Sequence, residues 1–105
     1  MSWVRVCTTA ELLPGEYRVV HDGDTPIAVF NIDGDLYAIE DICTHDGGEL
    51  TGGVIDGREI ECPRHGARFC IKTGAVTAPP AYEPISTFPV RIHAGMIQVR
   101  DARWD

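Results

Sequence analysis

Residues 43–65 read CTHDGGELTGGVIDGREIECPRH, opening on Cys43-Thr44-His45 and closing on Cys62-Pro63-Arg64-His65. Each end supplies one thiolate and one imidazole, with sixteen residues lying between His45 and Cys62. Two soft and two borderline donors in matched pairs suit two chemistries. One is a tetrahedral structural zinc; the other is a two-iron, two-sulfide cluster whose irons each need two protein ligands, sulfurs on one and nitrogens on the other. Zinc modules usually take both ligands of one half from C-x2-C and both of the other from H-x3-5-H. Here each half is mixed, which favours the iron-sulfur reading and leaves zinc and unliganded side chains as the alternatives.

Outward from these ends the chain reads as all β, with turns at short, regular intervals. Val54-Ile55 and Glu59-Ile60-Glu61 flank Asp56-Gly57, a hairpin that links the two ligand loops and puts both at one end of a small subdomain. Residues 27–32 and 36–39 are β-branched or aromatic runs turning at Asp33-Gly34, and residues 88–92 and 96–100 turn at Ala94-Gly95. Residues 4–6 and 17–20 are further short strands, while residues 8–12 read as at most one helical turn ended by Pro14-Gly15. A chain of 105 residues is one domain, 1–105, with room for a single core and none for a second catalytic domain.

The stretch from Cys43-Thr44-His45 through Glu61-Cys62-Pro63-Arg64-His65-Gly66 to Gly74-Ala75-Val76-Thr77-Ala78-Pro79-Pro80 resembles the Rieske ferredoxin family. The likeness covers nearly the whole chain and is greatest to the small ferredoxins of bacterial ring-hydroxylating dioxygenase systems. It implies a small antiparallel β-sandwich or barrel of Rieske type, with a cluster-binding subdomain at about residues 41–82. It also implies one [2Fe-2S] cluster, with Cys43 and Cys62 on the inner iron and His45 and His65 on the outer iron through Nδ1. Ala78-Pro79-Pro80-Ala81 resembles the proline loop that covers a third side. The function implied is that of a one-electron carrier without a catalytic site. It would take electrons from a flavoprotein ferredoxin reductase and pass them, in transient encounters, to a terminal oxygenase with a non-haem iron. Two further readings stay open: a small Rieske-like subunit of a nitrite-reductase-type complex, and a zinc-stabilised interaction module.

Departures from the high-potential branch of the family carry information as well. That branch has a further Cys in each ligand loop, joined as a disulfide, where this chain has Gly48 and Arg64. It also has a Ser and a Tyr that donate to the cluster sulfurs, where this chain has Ala67 and Phe69. Hydrogen bonds to sulfur stabilise the added negative charge of reduction, so their loss lowers the potential. The expectation is a value near the bottom of the roughly −150 to +300 mV Rieske range.

Sixteen acidic against nine basic side chains give a net charge of −7, which excludes nucleic acid as a partner. The charge serves either ordinary solubility or the steering of a redox encounter, with Asp46 and Glu49 in the first ligand loop near the docking face and Arg64 orienting the complex. No run approaches 18 apolar residues and no leader pattern opens the chain, so the expectation is a cytoplasmic monomer away from membranes. His21 and His93 are the remaining histidines and form no second iron motif. Cys7 and Cys70 are read as small buried apolar residues, with a disulfide as the alternative. Gly47, Gly48, Gly52, Gly53 and Gly66 are expected to let backbone amides approach sulfur, and Leu50 to shield the cluster or to belong to a docking surface. Trp3, Phe69 and Trp104 are read as packing residues rather than electron relays, and residues 100–105 as a surface tail.

Overall fold

Alternation in one long strand decides the architecture. In the computed structural model, which describes residues 2–104 and of Trp104 only the backbone, β3 (Thr25–Ile32) is buried at four consecutive positions, Ile27 to Phe30. Successive side chains leave a strand on opposite faces, so such a run needs cover on both sides. Ala28 and Phe30 enter one core, and Ile27 and Val29 enter another. β4 (Asp35–Glu40) repeats the division, with Ile39 in the first core and Ala38 in the second. These strands lie inside a four-stranded antiparallel sheet ordered β2 (Tyr17–Asp22), β3, β4, β9 (Thr87–Phe88).

One face of this sheet packs on a three-stranded sheet ordered β1 (Val4–Thr8), β11 (Met96–Val99), β10 (Val90–His93), through Cys7, Leu12, Phe88, Ile97 and Val99. The other face packs on a second four-stranded sheet, β5 (Ile55–Asp56), β6 (Glu59–Glu61), β7 (Arg68–Cys70) and β8 (Val76–Ala78), and on the loops around it. That core holds Cys43, Leu50, Ile60, Cys62, Ala67, Phe69, Ile71, Ala81 and Ile85.

All three expected hairpins form, two at their expected turns and the third one residue later, at Gly57-Arg58, because Asp56 ends β5 paired with Glu59. Asp33 (φ 53°) and Gly34 (φ 94°) close β3 onto β4, and Ala94 (φ 50°) and Gly95 (φ 77°) close β10 onto β11. Two consecutive positive φ values match the right-handed twist of the flanking strands. The helical turn is a 3-10 turn at Thr9–Glu11, with the Thr8 N–H and hydroxyl both donating to Glu11 Oε1 at 3.0 and 2.8 Å.

Three expectations are corrected. The strand read over residues 88–92 is cut by Pro89, which has no N–H to give a ladder. Phe88 therefore pairs with Ala38, Val90 pairs with Val99, and the chain changes sheets at the proline. The tail is not merely a surface segment: Asp101 is buried, accepts from the Thr25 hydroxyl at 2.8 Å and donates its N–H to Asp22 Oδ2 at 2.8 Å. Cys7 and Cys70 are both unpaired and sit in different sheets, so the disulfide alternative falls; Cys7 is buried, whereas Cys70 is only half-buried. Packing accounts for Phe69, which is fully buried, and for Trp3, whose ring lies 4.3 Å from the Arg91 guanidinium. The Trp104 side chain lies outside the described residues. Among the described residues no helix is long and apolar enough to cross a membrane.

Candidate metal centre

Both ligand loops are the same backbone turn. Cys43 N–H donates to Gly48 O at 2.7 Å and receives Gly47 N–H on its own carbonyl at 2.7 Å; Cys62 does so with Ala67 O at 2.7 Å and Gly66 N–H at 3.2 Å. Gly47 and Gly66 adopt φ of 76° and 77°, a region that strains any residue with a Cβ, so the turn demands glycine four places after each Cys. The turn carries His45 and His65 out to solvent while each Cys stays at the buried base. A third copy starts at Cys70, with Cys70 N–H to Ala75 O at 2.8 Å and Gly74 N–H to Cys70 O at 2.7 Å. It carries no histidine and lies outside the metal-capable groups among the described residues. Burial raises the Cys70 thiol, but hydrogen bonds from Thr73 and from the Lys72 amide outweigh it, and the net shift is downward.

The four predicted ligands are brought to one end of the molecule. Cys43 and Cys62 are fully buried beneath Leu50, Ala67 and Phe69, while His45 and His65 are exposed with ring centroids 5.1 Å apart in an edge-on arrangement. The two sulfurs fall within 4.8 Å of each other, and so do donor atoms of the two imidazoles; an Asp46 oxygen is within 4.8 Å of both pairs. The four donors do not gather within that distance as one set. Two pairs rather than one tetrad are what a dinuclear centre needs and what a single zinc does not. Burial pushes the Cys43 thiol up; the amides of His45 and Asp46 oppose this in part, and the Cys62 thiol adds to it. Two thiolates in such a place need a cation beside them, so the residues fit a metal cluster by their donor set, pairing and burial.

Polar ties fix the loops from three directions, and sequence reasoning missed them. The buried Asp41 carboxylate accepts the Leu50 and Thr51 amides, each at 2.9 Å, and the Thr51 hydroxyl at 2.7 Å. Thr44 donates its hydroxyl to Glu83 O at 2.6 Å, tying the first ligand loop to the segment after Ala78-Pro79-Pro80-Ala81. Arg64 bonds Asp46, and its guanidinium holds that carboxyl well below the usual carboxylate range. Asp46 and Arg64 therefore neutralise each other, which corrects their reading as free steering charges. Leu50 is wholly buried, which removes it from any docking surface and leaves the shielding role. The amides that reach the Cys43 sulfur belong to His45 and Asp46. Gly47 and Gly66 serve the turn. One signal for the repeated loop was present, namely Cys-x3-Gly at 43/47, 62/66 and 70/74.

A family model described as the Rieske [2Fe-2S] domain matches residues 2–89. The biphenyl dioxygenase ferredoxin subunit of Pseudomonas sp. (strain KKS102) is 39% identical over 105 residues, covering 98% of this chain and 95% of that protein. Among solved structures, a chain in the complex of reduced oxygenase and oxidised ferredoxin in carbazole 1,9a-dioxygenase superposes with a TM-score of 0.88 at 37% identity, covering 93% of this chain and 92% of that one. The Sphingomonas yanoikuyae B1 ferredoxin superposes with a TM-score of 0.85 at 39% identity, covering 95% and 99%.

Proposed function

As the chain belongs to the Rieske [2Fe-2S] domain family, we propose that Cys43 and Cys62 hold the inner iron of its cluster and that His45 and His65 hold the outer one. It is a Rieske-type ferredoxin with one [2Fe-2S] cluster, an electron carrier of dioxygenase systems and not itself an oxygenase. When bound, the cluster supplies one-electron oxidation and reduction. The observation that carries the ligand assignment is the stacking of two buried thiols beneath two exposed imidazoles at one end of the fold.

The residues divide the work. Leu50, Ala67, Phe69 and Ile60 wall the sulfur side with apolar atoms and exclude water from it. His45 and His65 present their ring edges to solvent, which makes them the route by which an electron enters and leaves. Ala67 and Phe69 offer no hydroxyl to the sulfurs, which supports a potential at the low end of the family's range. The proposed donor is a flavoprotein ferredoxin reductase and the proposed acceptor a terminal oxygenase, each met transiently by a single-domain monomer in the cytoplasm. The subdomain that binds the cluster spans about residues 41–82.

A spectroelectrochemical titration, followed by anaerobic mixing of the reduced chain with a ring-hydroxylating terminal oxygenase, tests this reading. The expected outcome is a midpoint near the −150 mV end of the range and reoxidation by one electron per chain. A midpoint near +300 mV, or no transfer to the oxygenase, overturns it.

A further inference from the structure

We propose that Arg64 is a positioning residue that clamps the two ligand loops to each other through Asp46, and that Gly48 is the notch admitting its guanidinium; the inference rests on the ligand assignment above. Arg64 lies between Cys62 and His65 in the second loop, yet its hydrogen bonds are all made to the first. Nε donates to Asp46 Oδ2 at 2.5 Å, Nη2 to Asp46 Oδ1 at 2.9 Å, and Nη1 to Glu49 O at 2.9 Å. Asp46 Oδ1 also accepts the Gly48 N–H at 2.9 Å, so the carboxylate is fixed to its own loop before the guanidinium reaches it. A two-pronged arginine–carboxylate contact sets angle as well as distance.

Each end of this contact is covalently next to a ligand. Asp46 follows His45 and Arg64 precedes His65, so the separation of the imidazoles is set by a bridge one residue away on both sides. Exposed ion pairs usually contribute little to global stability. The effect of this one falls on the geometry of the loops and not on the fold. Opposite charges also let the bridge position the loops without adding net charge beside the centre. Gly48 completes the device. A Cβ there would lie 2.5 Å from Arg64 Cζ, 2.6 Å from Nη2 and 2.9 Å from Nε, so any other residue displaces the guanidinium. The demand at Gly48 is for space.

The test uses the cluster-loaded protein and the variants Arg64→Gln, Asp46→Asn, Gly48→Ala and the Arg64→Gln/Asp46→Asn pair. Two quantities are read, the rate of bleaching by a ferrous-iron chelator and the midpoint potential. Each single variant is expected to lose the cluster about tenfold faster, with the pair no faster than either single change, as for two partners of one contact. The potentials separate clamping from charge: Arg64→Gln lowers the midpoint, Asp46→Asn raises it, and Gly48→Ala, which removes no charge, leaves it near the wild-type value. Wild-type retention in Gly48→Ala, multiplicative effects in the pair, or retention that follows the sign of the charge removed would each overturn the clamp. Should Arg64→Gln fail to load, Asp46→Asn and Gly48→Ala carry the comparison. A wild-type chain that takes up no iron overturns the ligand assignment, and the clamp with it.

Discussion

The core under the three-stranded sheet lies between one face of β3 and β4 and the strands β1, β10 and β11, of four or five residues, with Phe88 of the two-residue β9 beside them, whereas the core under the ligand loops lies between the other face of β3 and β4 and the strands β5 to β8, of two or three. Longer ladders and apolar packing hold the first region, with polar ties at Asp101 along its edge. The second has too little ladder to fix its loops and relies on polar ties at Asp41, Asp46–Arg64 and Thr44–Glu83, together with the metal whose binding free energy is also folding free energy there. The two regions share β3 and β4, whose opposite faces line the two cores. A base held by longer ladders is thus expected to carry an end that cofactor binding further stabilises.

Cys43→Ser tests that division most severely. It is expected to abolish cluster binding and the amide protection of residues 43–50 and 62–67 in hydrogen exchange, while the amides of β3 stay protected. Loss of protection in β3 as well would mean that the base has no independent stability. Ile97→Ala attacks the other side. Ile97 is almost completely buried, and its truncation should cost about 2–5 kcal/mol, lowering Tm while leaving the midpoint potential and visible spectrum unchanged. Asp41→Ala leaves the Leu50 and Thr51 amides without their acceptor, at about 1–3 kcal/mol for each buried group left unpaired. Faster cluster loss with β3 exchange unaltered is the expected signature, and faster exchange of the β3 amides would contradict it.

The smallest effect belongs to the tail of the base. Arg103, donating to Asp101 Oδ2 at 2.7 Å, holds that carboxyl below its ordinary range. A depressed folded-state pKa means that the stabilisation is complete above the unfolded value of about 3.9 and is lost as pH falls towards the folded one. Wild type should therefore exceed Asp101→Asn in Tm at pH 6, with the gap narrowing below about pH 4. A gap that is constant with pH would remove the ionic contribution.

Much of this division was legible in the residues. The mixed Cys/His pairs marked one end, and the turns at Asp33-Gly34 and Ala94-Gly95 marked the base, because both are local patterns. β7 and β8 were missed because three residues are too few to display a period of two. The break at Pro89 was readable from its missing N–H but was masked by the apolar run around it. Leu50 was ambiguous because a loop residue shows its burial only when the fold closes over it. Asp41 and the Asp46–Arg64 pair leave no periodic trace; a carboxylate that meets a guanidinium eighteen positions away is indistinguishable in sequence from one that meets water.

Whether a sulfur pair holds one metal and a nitrogen pair the other can be read from an EPR spectrum of the dithionite-reduced protein with iron and zinc quantified on the same sample. Two irons per chain and a rhombic signal whose average g lies clearly below that of all-cysteine ferredoxins are expected. One zinc per chain and no signal would contradict that pairing.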